Sequence, residues 1–263
     1  MIVEVDDPED PRLEPYRHVR DRDLAGHGGR FMAEGRVVLE KVVRAAPDML
    51  ESVLIAAHRV ESLSDLISAL PGEIPIYAAG QAAMDKVVGF PIHRGVLAVG
   101  RRPRRDAAAL LTGLPPRALI VGLVGVANHD NMGGVFRNAA AFGADAVLLD
   151  DTCCDPFYRK AIRVSVGAAL TTPFVRVGSG EQMADALIEA GFETVALSPA
   201  GAENLQDVRL RGRVAVLLGA EGPGLPETVL ARTRTVRIQM EGGFDSLNMA
   251  TTSGIVLYTL TLR

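Results

Sequence analysis

The chain has 263 residues, 48% hydrophobic and 23% charged, with a formal net charge of −4. At ~100–200 residues per domain this predicts one large or two modest domains, and the composition excludes general disorder and fibrous repeats. The longest near-apolar run, Ala118 to Ala127, is about half of the ~20 residues a membrane-spanning helix needs and is interrupted by Gly122 and Gly125, so no membrane partner is expected.

The opening is acidic. Five of the first ten residues are Asp or Glu and none is Lys or Arg, the reverse of a secretory leader, so a cytoplasmic protein is expected. Residues 1–25 read as a loosely attached arm. The first helix is expected to begin near Phe31, with Val38, Leu39, Val42 and Val43 at helical spacing. Ser52–Ala56 then reads as a strand, Ser62–Leu70 as a helix, and Ile74–Tyr77 and Val96–Val99 as strands, which makes residues 26–105 a small α/β domain. Arg101, Arg102, Arg104 and Arg105 form a basic patch leading into a Pro-containing linker, 106–117. Basic residues before and after Leu110 number 15 and 13 against 17 and 15 acidic ones, so neither half is a general nucleic-acid coat. The preference for Arg over Lys suits phosphate contacts and equally reflects genomic base composition.

From residue 118 to 263 continuous apolar runs alternate with helical segments, the pattern of a parallel sheet covered on both faces. Strands are expected at Leu119–Val126, Ala146–Leu149, Phe174–Val177, Thr194–Leu197, Val214–Leu218 and Thr235–Gln239. Helices are expected at Gly134–Phe142, Phe157–Leu170, Gln182–Ala190 and Ser246–Leu262. Cys153 and Cys154 are adjacent, and the five histidines show no paired spacing, so neither a disulfide nor a metal is expected.

Three segments stand where strands give way to turns or helices, the usual position of ligands in open α/β sheets. In the first, Asn128–Ala139, Gly133 and Gly134 permit close approach of backbone or phosphate. Arg137, read in the first helical turn, can hold a phosphate while Asn131 fixes a polar group; an Asx turn, an N-cap and a surface-paired Arg explain the same residues. The second, Leu217–Glu227, packs glycines and prolines into a rigid loop that displays Glu221, either as a functional carboxylate or as a solvated turn residue. The third runs from Ile238 through Gly242, Gly243 and Asp245 to Ser246, Leu247 and Asn248. Ser246 reads as a helix N-cap, Asn248 as a polar group of the first turn, and Ala250, Ser253 and Gly254 as a small-residue face for close packing.

Together these segments resemble the three motifs of the SpoU (TrmH-like) branch of the SPOUT RNA methyltransferases. The matching residues are Asn131-Met-Gly133-x-x-x-Arg137, Gly219-Ala-Glu221-Gly222-Pro-Gly224-Leu225 and Ser246-Leu247-Asn248. Phe31–Arg36 and Gly89–Ala98 resemble, more loosely, the ribosomal-protein-like substrate-binding domain that precedes many such catalytic domains. Gln239 stands where the family usually has Pro, and Met249-Ala250 where it has Val-Ser.

The resemblance implies an α/β trefoil-knot domain with a parallel sheet, S-adenosylmethionine as methyl donor, and a homodimer that buries the closing helix. It also implies transfer to a ribose 2′-hydroxyl, with ribosomal RNA favoured over transfer RNA; a non-catalytic RNA-binding protein and a nucleotide-using metabolic enzyme are the alternatives. The implied catalytic residues are Asn131, Arg137, Glu221, Ser246 and Asn248. The implied cofactor residues are Ser198, Pro199, Leu218, Gly219, Gly222, Ile238, Met240, Leu247 and Asn248. Arg94 and the four linker arginines are the expected RNA contacts.

Overall fold

The computed structural model describes residues 2–17, 29–89, 91–242 and 246–261. Residues 18–25 of the expected arm, Phe90, Gly243 to Asp245 and Leu262 lie outside the described residues. The chain divides into two compact units, Met1–Pro103 with Phe157–Thr171, and Arg104–Pro156 with Thr172–Arg263.

The first unit holds five strands, β1 (Ile2–Glu4), β2 (Arg30–Glu34), β3 (Leu50–Ala56), β4 (Ile76–Ala79) and β5 (Val96–Arg101), in the order β1-β4-β3-β5-β2. β1, β4 and β3 are parallel, whereas β5 runs antiparallel to β3 and β2. The expected helix starts at Arg36 rather than Phe31, because Arg30–Glu34 is recruited as an edge strand and Gly35, at φ 97°, turns the chain. Its face of Val38, Leu39, Val42 and Val43 is buried, as the spacing requires.

Two segments depart from the sequence expectation. Residues 2–17 are no loose arm: β1 adds an edge strand, and Leu13 and Tyr16 are both fully buried. Pro11 and Pro15 sit inside short helical turns, so the prolines initiate structure there instead of breaking it. Phe157–Leu170 is not one helix of the second domain. It splits into Arg159–Val164 and Ala168–Thr171 around Val166 and Gly167, both at positive φ, and belongs to the first unit. Phe157 stacks there near Phe31 with ring centroids 5.4 Å apart, and Arg159 donates to Glu34 at 2.9 Å.

The second unit is built on seven strands: β6 (Ala118–Leu123), β7 (Ala146–Leu149), β8 (Phe174–Arg176), β9 (Glu193–Leu197), β10 (Glu203–Asn204), β11 (Arg213–Leu218) and β12 (Arg234–Arg237). All are parallel, in the order β10-β12-β9-β11-β6-β7-β8. Burial on both faces explains the unbroken apolar runs of β6, β7 and β11. The expected linker contains a helix, Ala107–Gly113, capped by Asp106 and anchored by buried Leu111. The strand order brings the carboxyl ends of β12, β9 and β11 side by side.

Candidate active site

The helix that follows β6 spans His129–Ala141 and is capped by Asn128, whose side chain accepts from the N–H groups of Asp130 at 2.8 Å and Asn131 at 3.3 Å. Asn131 therefore lies in the first turn, 4% exposed, and Arg137 lies more than a turn further on than the sequence reading put it. Gly133 and Gly134 are helical, so they do not form a phosphate loop. Gly134 instead admits the closing helix, Met249–Thr261: a Cβ there would stand 2.5 Å from the Cβ of Ala250. Asn138 completes the junction, its amide donating to the Ala250 carbonyl at 2.6 Å and to Ser253 Oγ at 2.8 Å.

Past β11, the Gly219–Leu225 loop closes on itself through a Gly224 N–H to Ala220 carbonyl bond of 3.0 Å. Gly222 and Gly224 adopt positive φ. At Gly219 a Cβ would lie 2.2 Å from the backbone of Gly224 and Leu225, so the turn admits only glycine. After β9, the N–H of Ser198 joins the Val236 carbonyl at 3.0 Å, and Gly201 lies hard against the Val236–Arg237 backbone.

The N-cap of the closing helix is Asn248, not Ser246. Its Oδ1 accepts from Ala250 and Thr251 N–H at 2.9 and 3.2 Å, whereas Ser246 and the exposed Leu247 precede the cap. Having given its oxygen to the helix, Asn248 turns its amide to Asn131 Oδ1 at 2.9 Å and to Glu221 Oε1 at 3.5 Å. One side chain from each of the three motifs thus meets at a single point. Glu221 does not order Arg137. Arg137 is exposed and makes no hydrogen bond or ion pair among the described residues.

A cavity of about 490 Å³ opens between these loops. Ser198, Pro199, Leu218, Gly219, Gly222, Ile238, Met240, Leu247 and Asn248 all line it, together with Glu221 and Ser246. Leu197, at the start of the first loop expected to hold the cofactor, lines it as well, as do Glu227, Leu230, Met249 and Thr252, which were not among the expected cofactor residues. Thr252 was within reach of the sequence reading, one helical turn beyond Asn248, and Glu227 closes the second segment, but Leu230 sits at the far end of a short helix that no motif marks. Asn131 reaches the cavity only through Asn248, and Arg137 lies outside its lining.

The arginines expected at RNA are divided. Arg101 is exposed and pairs with Glu51, whereas Arg102 donates to the Arg30 carbonyl at 3.0 Å with its guanidinium 5.3 Å over the Phe157 ring and so serves the first unit's own packing. Arg94 is half-exposed, its side chain laid across Gly35 and 4.0 Å from Glu34. Arg104 is exposed and Arg105 partly buried. Cys153 and Cys154 are free, and burial pushes their thiols up to about 12 and about 11. Among the described residues no group of three His, Cys, Asp or Glu is placed to hold a metal ion, and no helix is long and apolar enough to cross a membrane.

Fold and cavity define an α/β protein that takes a small ligand in the crevice outside the carboxyl ends of its strands. Residues 118–258 match the model of the SpoU rRNA methylase family. An uncharacterised tRNA/rRNA methyltransferase of Mycobacterium bovis is 36% identical over 99% of this chain and 92% of its own length. The 23S rRNA (guanosine-2′-O-)-methyltransferase RlmB of Salmonella typhimurium is 27% identical over 86% of this chain and 96% of its own. Among solved structures, an RNA 2′-O ribose methyltransferase superposes with a TM-score of 0.78 at 26% identity, covering all of this chain and 98% of the other. The chain belongs to the SpoU rRNA methylase family.

Proposed function

We propose that this SpoU-family methyltransferase uses S-adenosylmethionine to methylate a ribose 2′-hydroxyl of ribosomal RNA, working as a cytoplasmic homodimer. The observation that carries the reading is the meeting of three motifs, far apart in sequence, around one cavity, with Asn131 tied to Asn248 and Asn248 to Glu221. The cavity suits the cofactor. At about 490 Å³ it falls in the size range of small-molecule sites. Leu197, Leu218, Ile238 and Leu247 offer apolar walls to a purine, and the carboxylates of Glu221 and Glu227 suit a ligand with sulfonium and ammonium charges. When bound, S-adenosylmethionine supplies an electrophilic methyl group on a positively charged sulfur. RNA is the acceptor because it alone offers the 2′-hydroxyl.

The chain's own contribution is positioning and charge. Asn131 orients the acceptor ribose, while Asn248 fixes Asn131 and the cofactor-side wall together. Arg137 binds the phosphate beside the acceptor, and its positive charge stabilises the alkoxide that forms as the 2′-hydroxyl gives up its proton to water. Ser246 adds a hydroxyl to the rim of the cavity. Arg94, Arg101, Arg104 and Arg105 are the predicted contacts that remain for RNA. The family resemblance implies a trefoil knot formed by the C-terminal loops, of which residues 243–245 lie outside the described residues.

Dimerisation is supported by the closing helix, which carries no charged residue from Met249 to Thr261 and leaves Ile255 and Tyr258 38% and 54% exposed. A second copy is the natural cover for such a face. Incubation with methyl-labelled S-adenosylmethionine and fractionated bacterial RNA, followed by nucleoside analysis, tests the whole reading. The expected product is a labelled 2′-O-methylnucleoside in the ribosomal fraction. Label confined to transfer RNA would replace the substrate, and a labelled base would overturn the ribose assignment.

A further inference from the structure

The end of the second unit's sheet away from the cofactor cavity carries a different surface. β6 and β11 are parallel with Arg213 opposite Ala118, and the Ala118 N–H joins the Gly212 carbonyl at 3.2 Å. This pairing brings the approaches to the two strands, bearing Arg117 and Arg211, alongside each other at the sheet spacing of ~4.8 Å. Together with Arg209 they line a cavity of about 670 Å³ that is closed on other sides by Gly143 and the last residues of the closing helix.

Electrostatics here run against the rest of the molecule. In a chain of net charge −4, three arginines line this cavity against one acidic residue, Asp145, and that carboxylate already accepts from the Leu119 N–H at 2.8 Å. Arg209 donates through Nη1 to the carbonyls of Gln206 and Val208 at 2.9 and 3.0 Å, which seats one edge of its guanidinium and leaves the other donors for a ligand. Arg211 is exposed and makes no hydrogen bond or ion pair among the described residues. By contrast, neighbouring Arg213 is spent on the Ala190, Leu111 and Leu114 carbonyls at 2.7–2.9 Å and on the Phe192 ring.

Resting on the RNA reading above, we infer that this cavity holds the phosphodiester backbone of the substrate RNA at a point remote from the methylated ribose. Planar guanidinium forks suit phosphate oxygens, and contacts of this kind set register without reading sequence. β6 and β11 are each six residues long, so at ~3.3 Å per residue the two cavities stand on the order of 20 Å apart. Only an acceptor several nucleotides long reaches both, which makes the cavity a device for selecting polymeric RNA over short fragments.

The test measures binding of a transcribed fragment of bacterial 23S ribosomal RNA across a salt series, for the full chain and for Arg209→Gln/Arg211→Gln. Loss of two phosphate contacts on single-stranded RNA should flatten the slope of log K against log[salt] by about 1.4, with S-adenosylmethionine affinity and thermal midpoint kept. Arg232→Gln, which removes a positive charge from a surface site paired with Asp185, should leave the slope in place. A slope unchanged in the double variant, or flattened equally by Arg232→Gln, overturns this inference alone. A protein that binds S-adenosylmethionine but no RNA at any salt concentration overturns the RNA reading and the inference with it.

Discussion

Asn248 donates to Oδ1 of Asn131 at 2.9 Å while its own Oδ1 accepts from two backbone N–H groups of the closing helix, so one side chain both starts a helix and ties it to a residue 117 positions earlier. The two roles use opposite ends of the amide and are separable by substitution. Asn248→Ala removes both and leaves the buried Asn131 oxygen without its donor; a stability loss of about 1–3 kcal/mol is expected. Asn248→Ser keeps a capping oxygen and loses the amide donor, so it should recover part of that stability in urea denaturation while still binding S-adenosylmethionine more weakly than the parent. Equal destabilisation by the two variants would show that the cap contributes nothing.

Gly219 is a steric requirement and Gly222 a conformational one. A methyl group at Gly219 meets backbone at 2.2 Å and must push the 224–225 segment out of the cavity wall. At Gly222 it meets nothing within 4 Å and suffers only the strain of φ 85°, roughly 1 kcal/mol. Calorimetric titration should therefore find S-adenosylmethionine affinity abolished in Gly219→Ala and only weakened in Gly222→Ala.

Arg137 supports no other residue of the fold. Exposed and unbonded among the described residues, it should be replaceable by Ala within ~0.5 kcal/mol of stability and without change in cofactor affinity, yet with methyl transfer reduced at least a hundredfold. A variant that retains full transfer would remove Arg137 from the mechanism; one that melts early would mean that the side chain has a packing partner.

The parts of this molecule that were legible in sequence are those where one physical cause dominates. A strand buried on both faces must be apolar at every position, so Ala146–Leu149 could be read to the residue and β11 to within one. The loops that line the cavity were legible because tight turns demand glycine and turns at strand ends make ligand crevices, whereas the individual residues expected there came from the family resemblance. Where two causes compete, the reading slipped. Ser246 and Asn248 are both good caps, and only the pull of Asn131 on the Asn248 amide decides between them. The 157–171 segment has helical spacing, but nothing local reveals that Val166 and Gly167 break it or that it packs in the first unit. β1 is three residues of edge strand in acidic surroundings, and its pairing with β4, more than seventy residues away, leaves no local pattern.

That hidden first segment makes a prediction of its own. Tyr16 is fully buried and shares a hydrogen bond of 2.7 Å with Ser52 Oγ, anchoring the chain's start to β3. Burial pushes its phenol above the ordinary value of 10.0, and the bond to Ser52 only partly opposes this. The folded chain thus keeps Tyr16 neutral where the unfolded chain would ionise it. The stabilising contribution is complete below pH 10.0, the unfolded value, and is lost as pH rises above it. Spectrophotometric titration should show that Tyr16 ionises last of the four tyrosines, in step with unfolding of the first unit seen by circular dichroism. Tyr16→Phe, which cannot ionise, should shift that alkaline transition to higher pH even though it gives up the Ser52 bond and some stability at neutral pH. If Tyr16 ionised near pH 10 with the fold intact, its segment would be the loose arm that the acidic sequence suggests.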